Sequence, residues 1–310
     1  MTLAAVTVSK RFTMAQLSPF HQELTVAVDA VSCRVEPGQT LGVVGESGSG
    51  KSTLARLVLG LLEPSDGRVE FNSKSISALS RAESREFRRS VQPIFQDPRS
   101  SLNWRHSIET IITEPMQNFG QPSAVRRERA KGLLEQVRLS PQLLKRKTFD
   151  VSGGQLQRVA IARALALDPS YLICDEPLSA LDVSVQAGVL NLLLELQASR
   201  SLAMMFISHD LEVVRHVSDR VIVMYGGAVM EDAPAVDLYR QPKHPYTKVL
   251  MGKADPLSEE SAASAATRST ARDSSCPFVG RCPFRQDRCF SERPALREID
   301  PGHFAACHFV

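Results

Sequence analysis

The run GESGSGKST, Gly45 to Thr53, puts three glycines and a lysine ahead of two adjacent hydroxyl side chains. Glycine at Gly45, Gly48 and Gly50 lets the backbone curl so that successive N–H groups point inward at an anion. The apolar TLGVV before the run reads as a buried strand, and KSTLARLVLGLL after it reads as a helix with leucines at helical spacing. That helix directs the positive end of its dipole at the same anion. In this strand–loop–helix setting the spacing G-x-x-x-x-G-K-[ST] is the pattern of a phosphate cradle. Lys51 then places a point charge on the β- and γ-phosphates of a nucleoside triphosphate, and the Ser52 hydroxyl can ligate Mg²⁺. The candidate binding residues are Gly45, Glu46, Ser47, Gly48, Ser49, Gly50, Lys51, Ser52 and Thr53. A glycine-rich turn with no ligand is the rival reading, and the flanking strand and helix argue against it.

A second apolar run, YLICDEP, ends in two carboxylates. If its strand neighbours the cradle, Asp175 holds magnesium through water and Glu176 orients or deprotonates an attacking water. Adjacent carboxylates at a strand end are equally suited to a solvated turn; the cradle is what favours catalysis. The elements that must position these groups follow the same rhythm. AMMFISHD and RVIVMY read as further apolar strands, and VQAGVLNLLLELQ as an amphipathic helix ahead of them. Strand–helix alternation predicts an α/β fold with a mostly parallel sheet and helices on both faces. Ligands in such folds bind at the carboxyl ends of the strands, where these polar residues stand.

VSGGQLQR, Val151 to Arg158, precedes YLICDEP and opens the helix LQRVAIARALAL, so N–H groups and a helix dipole can meet a second anion. Here the sequence resembles the ATP-binding-cassette ATPases, whose signature SGGQ stands in this position. The resemblance covers about residues 3 to 250. It implies a P-loop NTPase cassette fold, a RecA-like core with a helical subdomain over about 97–165, with ATP and Mg²⁺ as cofactors and ATP hydrolysis as the activity. It also implies that two cassettes pack head to tail, so that Ser152, Gly153, Gly154 and Gln155 of one cover the γ-phosphate held by the other. Gln96 in IFQDPRSSLNW matches the glutamine that senses the γ-phosphate and magnesium. Asp182 in SALD matches the loop contacting the opposite subunit, and His209 in FISHD the histidine reaching the γ-phosphate. Phe12 in SKRFT matches the aromatic that stacks on adenine, with Phe20 in a nearby insertion as its competitor. The usual Leu before Ser-Gly-Gly is Val151, a similar apolar plug.

Beyond the cassette, YRQPKHPYTKVLMG and the earlier SSLNWRHSIETIITEP resemble the oligopeptide/dipeptide and nickel importer ATPases. That likeness implies two transmembrane permease subunits, a second cassette (identical or homologous) and an extracytoplasmic substrate-binding protein as partners. It places the chain on the cytoplasmic face of the membrane. Domains are then expected at 1–251 for the cassette, 252–275 for a small, polar linker, and 276–310 for a Cys-rich appendage. Cys276, Cys282, Cys289 and Cys307 follow C-x5-C-x6-C-x17-C. A segment this short needs a staple, and a cytoplasmic setting disfavours disulfides, so the thiols read as metal ligands. Their spacing matches neither common zinc sites nor bacterial ferredoxins. The resemblance implies a 4Fe-4S cluster, with zinc as the alternative. Arg281, Arg285 and Arg288 are candidates to offset the charge of such a centre, or a solvated basic face. Cys33 and Cys174 read as small core residues.

A formal charge of +3 over 310 residues gives no argument for nucleic acid as a partner. No apolar run approaches the roughly 20 residues of a membrane span, and MTLAAVTVSKRF lacks the layout of a secretion signal. The competing functions are a soluble cassette ATPase and a metal- or redox-sensing module uncoupled from any permease. The presence of Glu176 and His209 counts against a pure switch.

Overall fold

Every residue of TLGVV, Thr40–Val44, is buried, as a strand covered on both faces requires. The same holds for Tyr171–Asp175 and Ala203–Ile207. The structure is a computed structural model that describes residues 1–15, 22–256 and 274–310. Phe20 and most of the expected linker lie outside the described residues.

The strands are β1 (Leu3–Ala15), β2 (Gln22–Val35), β3 (Thr40–Val44), β4 (Asp66–Phe71), β5 (Lys74–Ser75), β6 (Val91–Ile94), β7 (Tyr171–Asp175), β8 (Ala203–Ile207), β9 (Arg220–Tyr225), β10 (Ala228–Pro234), β11 (Arg297–Asp300) and β12 (His303–Ala305). The helices are α1 (Lys51–Val58), α2 (Arg81–Ser90), α3 (Pro98–Ser101), α4 (Ile108–Asn118), α5 (Ser123–Gln136), α6 (Gly153–Leu165), α7 (Val183–Arg200), α8 (Leu211–Val217), α9 (Ala235–Arg240), α10 (Pro245–Leu250) and α11 (Arg288–Ser291). They fall into two compact units. The first comprises Leu3–Arg34, Thr40–Glu70 and Ile207–Val310; the second comprises Met1–Thr2, Val35–Gln39 and Phe71–Phe206.

In the first unit β3 pairs parallel with β9, Val43 opposite Ile222. β9 pairs antiparallel with β10, and β10 antiparallel with β12. The carboxyl-terminal segment therefore extends the sheet of this unit. Ion pairs fasten it further, Arg293 to Asp29 and Lys243 to Asp300 at 2.9 Å, and His303 hydrogen-bonds the fully buried Glu231 at 2.7 Å. A segment too short to enclose its own core borrows one that exists. The helix after the glycine run is shorter than its leucine spacing predicts. It stops at Val58 because Gly60, at φ 66°, takes the left-handed turn and its N–H bonds the Leu57 carbonyl.

In the second unit β6 and β7 pair parallel, Val91 opposite Tyr171. α3 to α6 carry the chain from Pro98 to Leu165, within the region expected to be helical. Ile108, Ile111, Ile112 and Met116 of α4 and Leu133 and Leu134 of α5 are buried as one apolar stripe per helix, while α6, with Leu156, Val159, Ala160, Ile161 and Ala162 all buried, is enclosed nearly all round.

Candidate functional site

The first unit presents the glycine loop between β3 and α1. Two of its glycines are dictated by neighbouring backbone. A Cβ on Gly45 (φ 151°) would lie 2.1 Å from the Met224 carbonyl oxygen, and one on Gly50 (φ 99°) 2.2 Å from that of Ala27. Both distances are impossible for real atoms. Gly48, at φ 80°, has open space around it and is required by conformation alone. Gly50 caps α1 with no side-chain bond to the first-turn N–H groups. Lys51, 5% exposed, turns its ammonium back into the loop and donates to the carbonyls of Gly45 and Glu46, both at 2.8 Å. Ser52 and Thr53 occupy the first turn of α1. Ser47 lies at the turn of the loop, while the Ser49 carbonyl accepts from the Gly227 N–H at 3.1 Å.

His209 belongs to the same unit. It stands exposed just past the end of β8, and the N–H of Ser208 donates to the Val43 carbonyl at 3.3 Å. That bond joins the histidine's segment to the strand that feeds the loop. Asp210, next in line, caps α8 by accepting from the N–H groups of Glu212 and Val213. Phe12 lies on β1, 38% exposed, with the Lys10 ammonium 5.5 Å from its ring centre. An aromatic face left accessible in this way can take a further flat ligand.

The second unit presents the remaining candidates. Asp175 ends β7 and is 7% exposed. Glu176 follows in the left-handed region at φ 47°, a conformation that costs an ordinary side chain energy and collects at functional positions. Its carbonyl accepts from both the N–H and the hydroxyl of Ser179. Gln96 stands exposed after β6. Asp182 is the N-cap of α7, with its carbonyl accepting from Val185 and Gln186. The Gln186 amide in turn donates to the carbonyls of Leu178 and Leu181. No sequence pattern points to that brace.

At the start of α6 the signature residues close a capping box. Ser152 Oγ accepts from the Gln155 N–H at 3.3 Å, and Gln155 Oε1 accepts from the Ser152 N–H at 3.0 Å. The S-x-x-Q spacing is legible in the sequence. Gly153 and Gly154 carry the first-turn N–H groups outside this exchange. Gly154 is glycine for a second reason: a Cβ there would lie 2.4 Å from Val185 of α7.

The four thiols, Cys276, Cys282, Cys289 and Cys307, line a single cavity of about 270 Å³ in the first unit, together with His244, Phe278 and Phe284. Burial pushes the Cys276 thiol up to about 12 and that of Cys282 up to about 11. Among the described residues no three His, Cys, Asp or Glu side chains are placed to hold one metal ion. Two of the nearby arginines face carboxylates: Arg281 pairs with Glu46 at 2.7 Å, and Arg288 with Glu292 at 2.6 Å. Arg285 donates to the Gly280 carbonyl. Tyr246, Glu231 and Gln186 are contributors that sequence reasoning missed, although Tyr246 and Gln186 stood in strings already singled out; Arg281 was singled out for the thiols, and the structure pairs it with Glu46.

No helix among the described residues is long and apolar enough to cross a membrane. The family described as ABC transporter matches residues 28–179, and the oligopeptide/dipeptide transporter C-terminal region matches residues 230–289. A Brucella ovis protein named for peptide import and ATP binding is 47% identical over 288 residues, covering 90% of each chain. The oligopeptide transport ATP-binding protein OppF of Haemophilus influenzae is 44% identical over 292 residues, covering 91% of this chain and 88% of its own. A dimeric ATP-binding cassette solved in a post-hydrolysis state with ADP and Pi matches with a TM-score of 0.66 at 28% identity, over 75% of this chain and 98% of that one. Cassette cbiO1 of Clostridium perfringens, part of the transporter complex cbiONQ, also has a TM-score of 0.66, over 77% of this chain and 90% of its own. Glycine loop, carboxylate-tipped strand and signature helix thus stand on a chain that shares the cassette fold over three quarters of its length and matches named relatives over nine-tenths, and the protein belongs to the ATP-hydrolysing ATP-binding subunits of the ABC transporter family.

Proposed function

We propose that this chain hydrolyses ATP to drive an importer of peptides or related small solutes, working as one of a head-to-tail pair of cassettes. The observation that carries the reading is the glycine loop, whose buried Lys51 ammonium is already turned onto the inner carbonyls of its own loop. The names of the relatives, given for peptide import and oligopeptide transport, support the cargo class. Such relatives match nine-tenths of the chain, which disfavours the soluble and sensing alternatives.

In this reading Lys51 and the loop N–H groups, from Gly45 to Thr53, hold the β- and γ-phosphates, and Phe12 stacks on adenine. Water attacks the γ-phosphorus as the bond to the β–γ bridging oxygen breaks. Glu176 accepts the proton of that water, and His209 and Gln96 contact the γ-phosphate. Ser152, Gly153, Gly154 and Gln155 of the partner cassette close over the same phosphate, with Asp182 at the junction. Ser52, Gln96 and, through water, Asp175 would hold Mg²⁺, which neutralises charge developing on the phosphate oxygens. Hydroxyl, amide and carboxylate oxygens are the donor set such a hard cation takes.

The partners are two permease subunits, a second cassette and an extracytoplasmic substrate-binding protein, with the chain on the cytoplasmic face of the membrane. A groove of about 220 Å³ in the second unit, lined by Gln92, Phe95, Leu102, Glu114, Phe119 and Arg163, supports permease docking beside Gln96. The proposal keeps a cassette over 1–251, a linker over 252–275 and a thiol-bearing segment over 276–310. The four cysteines would hold a 4Fe-4S cluster that staples this segment. The observation that supports a metal-bearing group there is the one cavity that all four cysteines line, with zinc as the alternative to the cluster.

Reconstitution with its permease and binding protein in vesicles tests the function directly. ATP-dependent peptide uptake is expected; ATP hydrolysis that moves no peptide refutes the cargo assignment. Glu176→Gln should bind ATP and trap a dimer while hydrolysis falls at least about a hundredfold, and undiminished turnover removes its catalytic role. Iron and sulfide assays on anaerobically purified protein test the cluster. Colourless protein with stoichiometric zinc would replace it.

A further inference from the structure

Glu46 is held at three of its atoms. Its N–H donates to the Tyr246 hydroxyl at 2.9 Å, its carbonyl oxygen accepts from Lys51 at 2.8 Å, and its carboxylate accepts from Arg281 at 2.7 Å. Two of these three ties come from residues far along the chain, and those two residues form one packed body. Arg281 sits in a short loop that runs from Cys276 to Cys282. Within it the Val279 N–H donates to the Cys276 carbonyl at 3.0 Å and the Arg281 N–H to the Phe278 carbonyl at 3.1 Å. The loop is tied at its start by the Cys276 N–H bonding the Cys289 carbonyl at 2.9 Å. Phe278, fully buried in the same loop, packs with its ring centre 5.2 Å from both Tyr246 and Tyr225. Tyr225 lies 4.7 Å from Tyr246 and also hydrogen-bonds Arg281.

As a source of fold stability the Arg281–Glu46 pair contributes little, since both side chains are about a third exposed. Its position is what matters. The Lys51 ammonium ties the inside of the glycine loop to the carbonyls of Gly45 and Glu46 and to Ser49 Oγ, beside a backbone bond from the Ser49 N–H to the Glu46 carbonyl at 3.2 Å. A phosphate that takes over that ammonium removes the Lys51 ties; the backbone bonds of Ser49 to Glu46 and Gly227 remain, and of the side chains that reach Glu46 from outside the loop, Tyr246 and Arg281 still hold it. Affinity gained by preorganisation is lost when the loop must be ordered anew at each binding event.

We propose that Tyr246 and Arg281 are positioning residues of the nucleotide site, gripping Glu46 so that the glycine loop keeps its binding shape when Lys51 turns to the phosphates. The carboxyl-terminal segment thereby sets the affinity of the cassette for nucleotide. This rests on the proposed reading of the loop as the ATP site.

The test uses the full chain and a fluorescent ATP analogue with Mg²⁺, alongside steady-state hydrolysis. Tyr246→Phe and Arg281→Gln are each expected to raise Kd and KM by roughly 3- to 10-fold, the effect of one lost hydrogen bond, with kcat within about twofold. Arg281→Lys keeps the charge but not the planar fork and recovers part of the loss. Glu46→Gln removes any further effect of Arg281→Gln, because Arg281 holds the loop through the charge of that one carboxylate. Unchanged Kd in Tyr246→Phe and Arg281→Gln, with wild-type melting temperatures, overturns the proposal. So does an Arg281→Gln effect that persists in the Glu46→Gln background, which marks a general weakening of the tail. Lys51→Ala separates the two readings: if it abolishes binding while the Tyr246 and Arg281 variants bind normally, only the positioning role falls. If wild type itself fails to bind the analogue, the ATP site falls with it.

Discussion

Glu176 occupies the left-handed region at φ 47°, immediately after a buried strand whose other residues are extended. A side chain there costs about 1–2 kcal/mol relative to a right-handed position, and glycine largely escapes that cost. Glu176→Gly is therefore expected to raise unfolding stability by about 1 kcal/mol in urea titrations while hydrolysis is lost. A variant less stable than wild type would show that the strain is compensated by contacts of the carboxylate. The loop glycines act in the opposite sense. Gly50→Ala brings a methyl against the Ala27 carbonyl, and nucleotide affinity should fall at least about tenfold, the effect of 1.4 kcal/mol. Titration of the fluorescent analogue measures it directly.

At the level of elements, strand β3 matters because of what packs on it. Gly42 lies where a Cβ would come 2.4 Å from Ser218 Oγ and 2.5 Å from Val214 of α8. Gly42→Ala must push α8 away, at a cost of about 1–3 kcal/mol typical of overpacking. Because the segment carrying His209 enters α8, turnover should fall along with stability. Thermal melts and ATPase rates on the same preparation check both. The capping box of α6 gives a milder expectation. Ser152→Ala loses one half of a reciprocal pair and should cost about 1 kcal/mol of stability.

Across the whole molecule the carboxyl-terminal segment is tied to the cassette by Glu231. Its carboxylate, fully buried, accepts from the N–H groups of Lys243 and His244 and meets His303 at 2.7 Å. Glu231→Ala leaves these donors without their acceptor and should destabilise the protein by about 3 kcal/mol. Hydrogen exchange should show β11 and β12 losing protection first; equal loss throughout would refute a local role. The same junction gives a pH dependence. Burial holds His244 well below its ordinary value, at about 3 against 6.5, while its Nδ1 accepts from the Tyr246 N–H. The unfolded chain then binds the extra proton between those values. Stability is full above about 6.5 and declines as pH falls toward 3. His244→Asn, which keeps an acceptor at the cap without titrating, should flatten that decline in denaturation curves collected across the range.

What the amino-acid order by itself determined is whatever repeats over a short distance. The apolar runs Thr40–Val44, Tyr171–Asp175, Ala203–Ile207 and Arg220–Tyr225 are strands in the structure, and the S-x-x-Q spacing is a capped helix start. Local spacing reveals these because strand burial and helix capping are set by residues within a few positions of one another. The tertiary structure alone decided the rest. It turned Arg281 from the thiols toward Glu46, 235 positions away, made Gly42 and Gly154 glycines for the sake of neighbouring side chains, and stitched the cysteine segment to β10 through β12 and Glu231. Such choices rest on pairwise contacts between distant residues, and a single contact of that kind leaves no periodic trace along the chain.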